Sequence, residues 1–251
     1  MAEPIAHDRA GTCEHCGRPR EPLTMDLPLG LGARTWLAEC PCAEPRRLAD
    51  LRQRQFEETR TRTRQLLGES GIGVRHRDAR FETFAVTAAS RPIVDACRRY
   101  VERFGDDGAG LTLTGPPGTG KTHLAVAVTR ALIDRAVSAV IVNVPMLLLA
   151  FRGTFSGDRP QRFDAMLELL CQCEHLVLDD LGRERPTEWA QETLYLLVNA
   201  RYQECLATSL TTNLSPPELQ ARLGEPILDR LAETNRAFWC QWGSHRRRTT
   251  P

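Results

Sequence analysis

The chain has 251 residues, 41% of them hydrophobic and 26% charged, with 33 Lys and Arg against 32 Asp and Glu. That composition is ordinary for a soluble globular protein of one large domain, or one domain with a smaller appendage. Near-neutral charge excludes any argument for nucleic acid from bulk electrostatics and leaves only local patches. No apolar run approaches the ~20 residues that span a bilayer. MAEPIAHDRAGTCEHC at the start has no apolar core of the signal-peptide kind, so no membrane partner and a cytoplasmic location are expected. Nine cysteines in a reducing compartment then call for a metal or for burial rather than disulfides.

In chain order, residues 1–45 carry paired cysteines, several Pro and Gly, and little periodicity. Cys13 and Cys16 are spaced C-x-x-C, and Cys40 and Cys42 are spaced C-x-C. Four thiolates in two close pairs suit tetrahedral Zn²⁺. The second pair is shorter than the usual knuckle, although Pro41 can fix its bend, and residues 17–39 are long enough for a small hairpin. His15 is a last-ranked substitute ligand; four free thiols in a loose tail are the alternative. Residues 46–78 are expected to be a charged helix and a hinge. PRRLADLRQRQFEETRTRTRQLL has apolar positions at Leu48, Leu51, Phe56 and Leu66, and Gly68, Gly71 and Gly73 end it.

From residue 79 to 251 the pattern alternates strand and helix. Strands are expected at 111–114, 139–144, 175–179, 207–212 and 237–242. Helices are expected at 91–103, 121–135, 160–173, 187–204, 216–223 and 225–233. Such alternation predicts an α/β fold with a parallel sheet covered by helices on both faces. Cys97, Cys171, Cys173, Cys205 and Cys240 fall on apolar faces and are expected in the core.

GPPGTGKT at 115–122 fits G-x-x-x-x-G-K-[ST] and sits between an apolar strand and a helix, as its mechanism requires. Gly115, Gly118 and Gly120 permit the tight backbone, shared with Pro116, Pro117 and Thr119, that aims N–H groups at phosphate oxygens. The helix start adds its positive end, with His123 in the first turn. Lys121, the only lysine in the chain, supplies a cation for the β- and γ-phosphates, and Thr122 a hydroxyl for Mg²⁺. CEHLVLDDLG places Asp179 at the end of a strand on the same sheet edge, where it can hold the metal. Asp180 beside it can orient or deprotonate the attacking water. Asn213 ends a later strand, TTN, where an amide can reach the γ-phosphate or instead cap the next turn.

The order GPPGTGKT, LVLDD, TTN, then an Arg-bearing helix and a final Arg resembles AAA+ ATPases. LVLDDLG, LGEPILDRL and WGSHR are similar to motifs of the bacterial helicase-loader branch, the DnaC/DnaI/IstB-type proteins; the resemblance covers about residues 80–248. It implies ATP and Mg²⁺, an AAA+ fold without a separate C-terminal lid, and self-assembly of ATPase domains. It further implies that Arg230 is an arginine finger for a neighbouring subunit and that Arg246 is a second sensor. From the residues alone, a solvated salt bridge for Arg230 and a basic tail for Arg246 stay open. The family's N-terminal region often carries C-x-x-C followed by C-x-C, which strengthens the Zn²⁺ reading.

The implied function is loading of the replicative DNA helicase, with Phe56 and the Arg-rich stretch 52–64 as contact candidates. Single-stranded DNA would meet MLLLAFRGTFSGDRPQRF, where Arg152 and Phe155 are the contacts favoured and Phe151 is expected in the core. Two departures stand out: Pro226 where the family has Arg, and Asp180 where many AAA+ proteins have Glu. The rivals are an IstB-type transposition helper acting with a transposase, and an interaction protein with a dead nucleotide site; intact Lys121, Thr122 and Asp179 argue against the second.

Overall fold

Five short, apolar or threonine-rich segments build the central sheet: β3 (Gly110–Thr114), β4 (Ala139–Asn143), β5 (His175–Asp179), β6 (Ala207–Thr212) and β7 (Asn235–Trp239). They follow a two-stranded hairpin, β1 (Pro22–Asp26) and β2 (Ala33–Leu37). This computed structural model describes residues 11–26, 32–67, 71–105, 108–155 and 160–245. The chain divides into two compact units, residues 1–54 and 55–251.

In the larger unit the strand order is β4-β5-β6-β3-β7, and every neighbouring pair is parallel. Nearly continuous apolar runs are what a parallel sheet buried on both faces requires. Alternate residues enter two core layers. Val140, Val142, Leu176 and Leu178 pack on one side. That layer is closed by α4 (Val144–Phe155), α5 (Pro160–Gln172), α6 (Glu188–Gln203), α7 (Pro216–Leu223) and α8 (Glu225–Thr234). Ala139, Ile141 and Val177 pack on the other side, against α2 (Arg91–Glu102) and α3 (Lys121–Ile133). Because β3 lies between β6 and β7 while later strands lie beyond β6, the carboxyl ends of β3, β5 and β6 open together at the switch in strand order, where ligands bind in such sheets.

A buried arginine ties this layer together. Arg201 donates to the carbonyls of Leu170 and Cys173, where α5 ends, and to Ala207 O and Thr208 Oγ1 at the start of β6. Its charge is matched by helix-end carbonyls, which carry the negative end of the helix dipole.

Several expectations shift. The last strand covers Asn235–Trp239 rather than 237–242, because beyond Cys240 the chain turns toward the phosphate loop. The segment after β4 is helical from Val144 onward, with no intervening loop. Its run of apolar residues hides the helical period. Phe151 is buried in the core layer as expected. Cys97, Cys173 and Cys240 are buried and Cys171 is half-buried, but Cys205 is exposed at a left-handed turn with φ of 52°. The long helix α1 (Ala43–Leu67) is mostly exposed, with Leu48 and Leu51 solvent-facing. Phe56 is buried, which removes it as a free contact surface. Residues 68–70 of the expected hinge lie outside the described residues; Val74–His76 forms a short 3-10 turn. The described residues contain no helix long and apolar enough to cross a membrane.

Candidate nucleotide site and cysteine cluster

The loop between β3 and α3 takes its shape from glycine. Gly118 (φ 85°) and Gly120 (φ 90°) are left-handed, and Gly120 is the residue that opens α3. A Cβ on Gly115 would lie 2.5 Å from Cys240 O, and one on Gly118 would collide with Ser244. The loop is clamped from outside by the chain after β7. Trp242 Nε1 donates to Thr119 O at 2.7 Å and His245 N to Gly118 O at 2.9 Å. Thr119 is buried, and its hydroxyl donates to Pro116 O.

Lys121 points back over the loop. Its Nζ donates to Gly115 O (2.7 Å), Pro116 O (2.9 Å) and Asn213 Oδ1 (2.8 Å). This joins the ends of β3 and β6 through one cation. The turn-capping alternative for Asn213 is not what the geometry shows: Leu214 N donates to Thr212 Oγ1.

Asp179 ends β5, and its Oδ1 accepts from Thr122 Oγ1 at 2.9 Å and from Thr211 Oγ1 at 2.6 Å. Burial pushes its carboxyl above the usual range, while the two hydroxyls draw it back. A buried carboxylate that already shares a threonine hydroxyl is a natural hard-cation ligand, since binding an ion would relieve its desolvation. Asp180 follows in a left-handed conformation (φ 57°), its N–H donating to Thr211 Oγ1 and its Oδ2 accepting from Asn143 Nδ2 at 3.4 Å.

These groups share a cavity of about 1300 Å³ with Pro117, Gly118, Ile72 and Arg183. It is large enough for a nucleoside triphosphate. His123 borders it, but its Nε2 lies 2.9 Å from Arg80 O and its ring stands edge-on to Phe84, so it braces the preceding loop.

Arg230 sits on α8, with Nε donating to Asn199 Oδ1 at 3.0 Å and Nη1 to Pro226 O at 2.8 Å. The salt bridge left open as its alternative role is absent among the described residues. Arg152 stacks on Trp189 at 4.8 Å and donates to Thr187 Oγ1. The Phe155 side chain and the whole of Arg246 lie outside the described residues.

In the smaller unit, Gly17 (φ 68°) lets the chain fold back after Cys16, with Gly17 N donating to Cys13 O. The hairpin then returns Cys40 and Cys42 to the first pair. All four sulfurs lie within 4.8 Å of one another, with Cys13–Cys42 at 3.5 Å and Cys16–Cys40 at 3.4 Å. Four sulfurs at ~2.3 Å from a tetrahedral Zn²⁺ would stand about 3.8 Å apart, so the set fits that ion. Backbone amides at His15 and Cys16 bring the Cys13 thiol down to about 6, and hydrogen bonding with the Cys40 and Cys13 thiols pushes Cys42 up to about 12. His15 is outside the cluster. Arg46 donates to Cys42 Sγ and Cys42 O, as second-layer groups around metal sites do.

Residues 83–250 match the family model described as IstB-like ATP binding protein. The chain belongs to the DnaC/DnaI/IstB-type family of AAA+ ATPases. It is 30% identical over 184 residues to the replicative helicase loader DnaC of Buchnera aphidicola subsp. Schizaphis graminum, covering 72% of this chain and 74% of that one. The Escherichia coli K12 loader DnaC is 30% identical with the same coverage. A crystal structure of the DnaC helicase loader superposes with a TM-score of 0.61 at 28% identity, covering 66% of this chain and 99% of that one. Membership carries ATP and Mg²⁺ binding and ATPase activity in general, and the cavity, Lys121 and the Thr122–Asp179 pair fit both.

Sequence reasoning passed over Thr211, the hydroxyl that links Asp179 to Asp180, although the TTN run contained it. It also gave no structural role to Trp242 and Ser244 against the phosphate loop of this AAA+ domain. The W-x-S pattern was visible, but only the fold shows what it touches.

Proposed function

We propose that this AAA+ protein loads a replicative DNA helicase onto single-stranded DNA and is released by ATP hydrolysis. The reading is supported by one conjunction: an intact phosphate-loop site in a chain 30% identical to replicative helicase loaders over 72% of its length. In this reading the domains are a partner module at 1–45, a helix and hinge at 46–78, and the ATPase at 79–251.

ATP enters with its phosphates against the 115–122 amides. Lys121 exchanges Gly115 O, Pro116 O and Asn213 for the β- and γ-phosphate oxygens, which leaves the Asn213 amide to face the γ-phosphate. Thr122 and Asp179 would hold Mg²⁺, which supplies neutralisation of the phosphate charge when bound. The Asp180 carboxylate orients the attacking water. Arg230 of a second copy reaches the γ-phosphate and stabilises the charge that develops there. Arg246 acts as the cis sensor, and Arg152 and Phe155 meet DNA. Cys13, Cys16, Cys40 and Cys42 hold Zn²⁺ in the partner module. Hydrolysis is slow and switch-like, since Asp180 has a shorter reach than Glu.

The test is ATP-dependent transfer of the host's purified helicase onto circular single-stranded DNA by the full-length chain. Transfer that Lys121→Ala abolishes is the expected result; no transfer with any cellular helicase sinks the proposal. The family model's IstB-like description favours a second reading, a transposition helper. Selective ATP-dependent binding of a transposase and double-stranded DNA would establish that one instead.

A further inference from the structure

Resting on the reading of Arg230 as a group that serves a neighbouring subunit, we propose that Tyr195, Asn199 and Tyr202 are positioning residues. They fix the direction of the Arg230 guanidinium and keep its charge unspent. The three are spaced i, i+4 and i+7 along α6, so they form one stripe facing α8. The Arg230 guanidinium carbon lies 5.2 Å from the Tyr195 ring centroid and 5.5 Å from that of Tyr202. Its Nε donates to Asn199 Oδ1, and Nη1 closes back onto Pro226 O of its own helix. Among the described residues Nη2 makes no hydrogen bond.

Each of these partners is uncharged. Two aromatic faces and two neutral oxygens fix a guanidinium's direction without neutralising it. An acid on the same helix is spaced to do so. Glu233 stands three residues further along α8, the spacing at which a helix pairs Arg with Glu. Instead its Oε2 accepts from Tyr202 Oη at 2.7 Å. The carboxylate in turn holds the Tyr202 hydroxyl above its usual range, so the phenol stays protonated and keeps donating. One tyrosine thus supports the cation with its ring and diverts the competing carboxylate with its hydroxyl. What remains is a preorganised cation, the form of electrostatic stabilisation that needs no rearrangement when a phosphate arrives.

A mixing experiment tests this with full-length chains and ATP. A Lys121→Ala chain lacks the nucleotide contact but keeps Arg230; an Arg230→Ala chain has the opposite defect. Their mixture should hydrolyse ATP on single-stranded DNA where neither does alone. Into the Lys121→Ala chain, whose contribution is then its Arg230, Tyr202→Phe is added. This keeps the ring and frees Glu233 to pair with Arg230. Activity of the mixture should fall about tenfold, as expected for a misdirected catalytic group. Adding Glu233→Gln should restore it to within about twofold, which a merely structural role for Tyr202 would not allow. Asn199→Asp, which keeps the acceptor oxygen but gives it a charge on Arg230 Nε, should lower activity as Tyr202→Phe does. Full activity with Tyr202→Phe, or a defect that Glu233→Gln leaves in place, overturns the positioning role while the shared-site reading stands. An inactive parent mixture overturns the shared-site reading itself, and this inference with it.

Discussion

The nucleotide edge and the cysteine cluster are both loops shaped by left-handed glycines, yet they are held in opposite ways. The nucleotide edge is assembled by side chains far apart in sequence. Lys121 meets Asn213, Thr122 and Thr211 meet Asp179, and Trp242 meets Thr119. They come from the ends of β5 and β6, the loop and helix after β3, and the chain after β7, around a sheet whose β4, β5 and β6 strands are largely buried. The cysteine cluster rests on a two-stranded hairpin whose Leu23, Met25 and Trp36 are solvent-exposed. A lone hairpin is marginal in water. The first site is therefore shaped before any ligand arrives, whereas the second depends on what its sulfurs hold. Each experiment below removes one support and asks whether that distinction survives.

The largest effect is expected from metal removal. Chelation, or Cys40→Ser, should abolish protection of the 23–26 and 33–37 amides in hydrogen exchange, because structural Zn²⁺ supplies about 10 kcal/mol or more in small metal modules. One zinc per chain should be lost, and ATP binding by residues 55–251 should persist. Unchanged protection in the metal-free protein would erase the contrast.

Next in size is Lys121→Ala. It removes a buried cation that donates to Gly115 O, Pro116 O and Asn213 Oδ1 in the ligand-free state, and the phosphate contact in the bound state. ATP affinity should fall by about 100-fold, near 3 kcal/mol. Lys121→Arg should not rescue it, because a planar fork cannot replace a compact ammonium in that space. Equilibrium dialysis with labelled ATP reads both.

These two regions were unequally legible in sequence. The parallel sheet could be read because β4 and β5 are nearly all apolar, β3 and β6 mix apolar residues with threonine, and Gly, Asn or Asp marks where each ends. The helix at Val144 was not read, since MLLLAF is apolar on every side and its start signal, Asn143 accepting from Met146 N with Pro145 in the first turn, lies at the end of the strand expected over 139–144. Residues of the loader-type motifs announced the nucleotide edge, but Thr211 did not. A threonine in a β-strand is unremarkable until its hydroxyl is seen between two aspartates. The Arg230 cradle was equally silent, because Tyr195, Asn199 and Tyr202 acquire meaning only when α8 packs on α6. Cys205 was misjudged from its apolar flanks, since a left-handed turn carries it to the surface.

Thr211→Val therefore probes the hidden part of the preformed site with little change in shape. It removes a donor to Asp179 and an acceptor for Asp180 N–H. Urea unfolding should show a loss of about 1–3 kcal/mol. The Mg²⁺-dependent gain in ATP affinity should shrink several-fold while the Mg²⁺-independent part holds. Equal losses in both would mean that Asp179 is not what Thr211 positions.

The smallest expected change is Asp180→Glu, and it sets reach against backbone strain. Asp180 occupies φ of 57°, where Asp is tolerated because its short side chain bonds locally, and Glu is less so. The longer carboxylate should nevertheless extend past Asn143 toward the attacking water. Single-turnover hydrolysis is expected to rise about three- to tenfold, with stability falling by about 1 kcal/mol or less. A faster enzyme with slightly lower stability identifies Asp180 as the element that keeps the switch slow. An unchanged rate would assign the slow step elsewhere and leave the left-handed turn as a purely structural fit between β5 and the chain that follows.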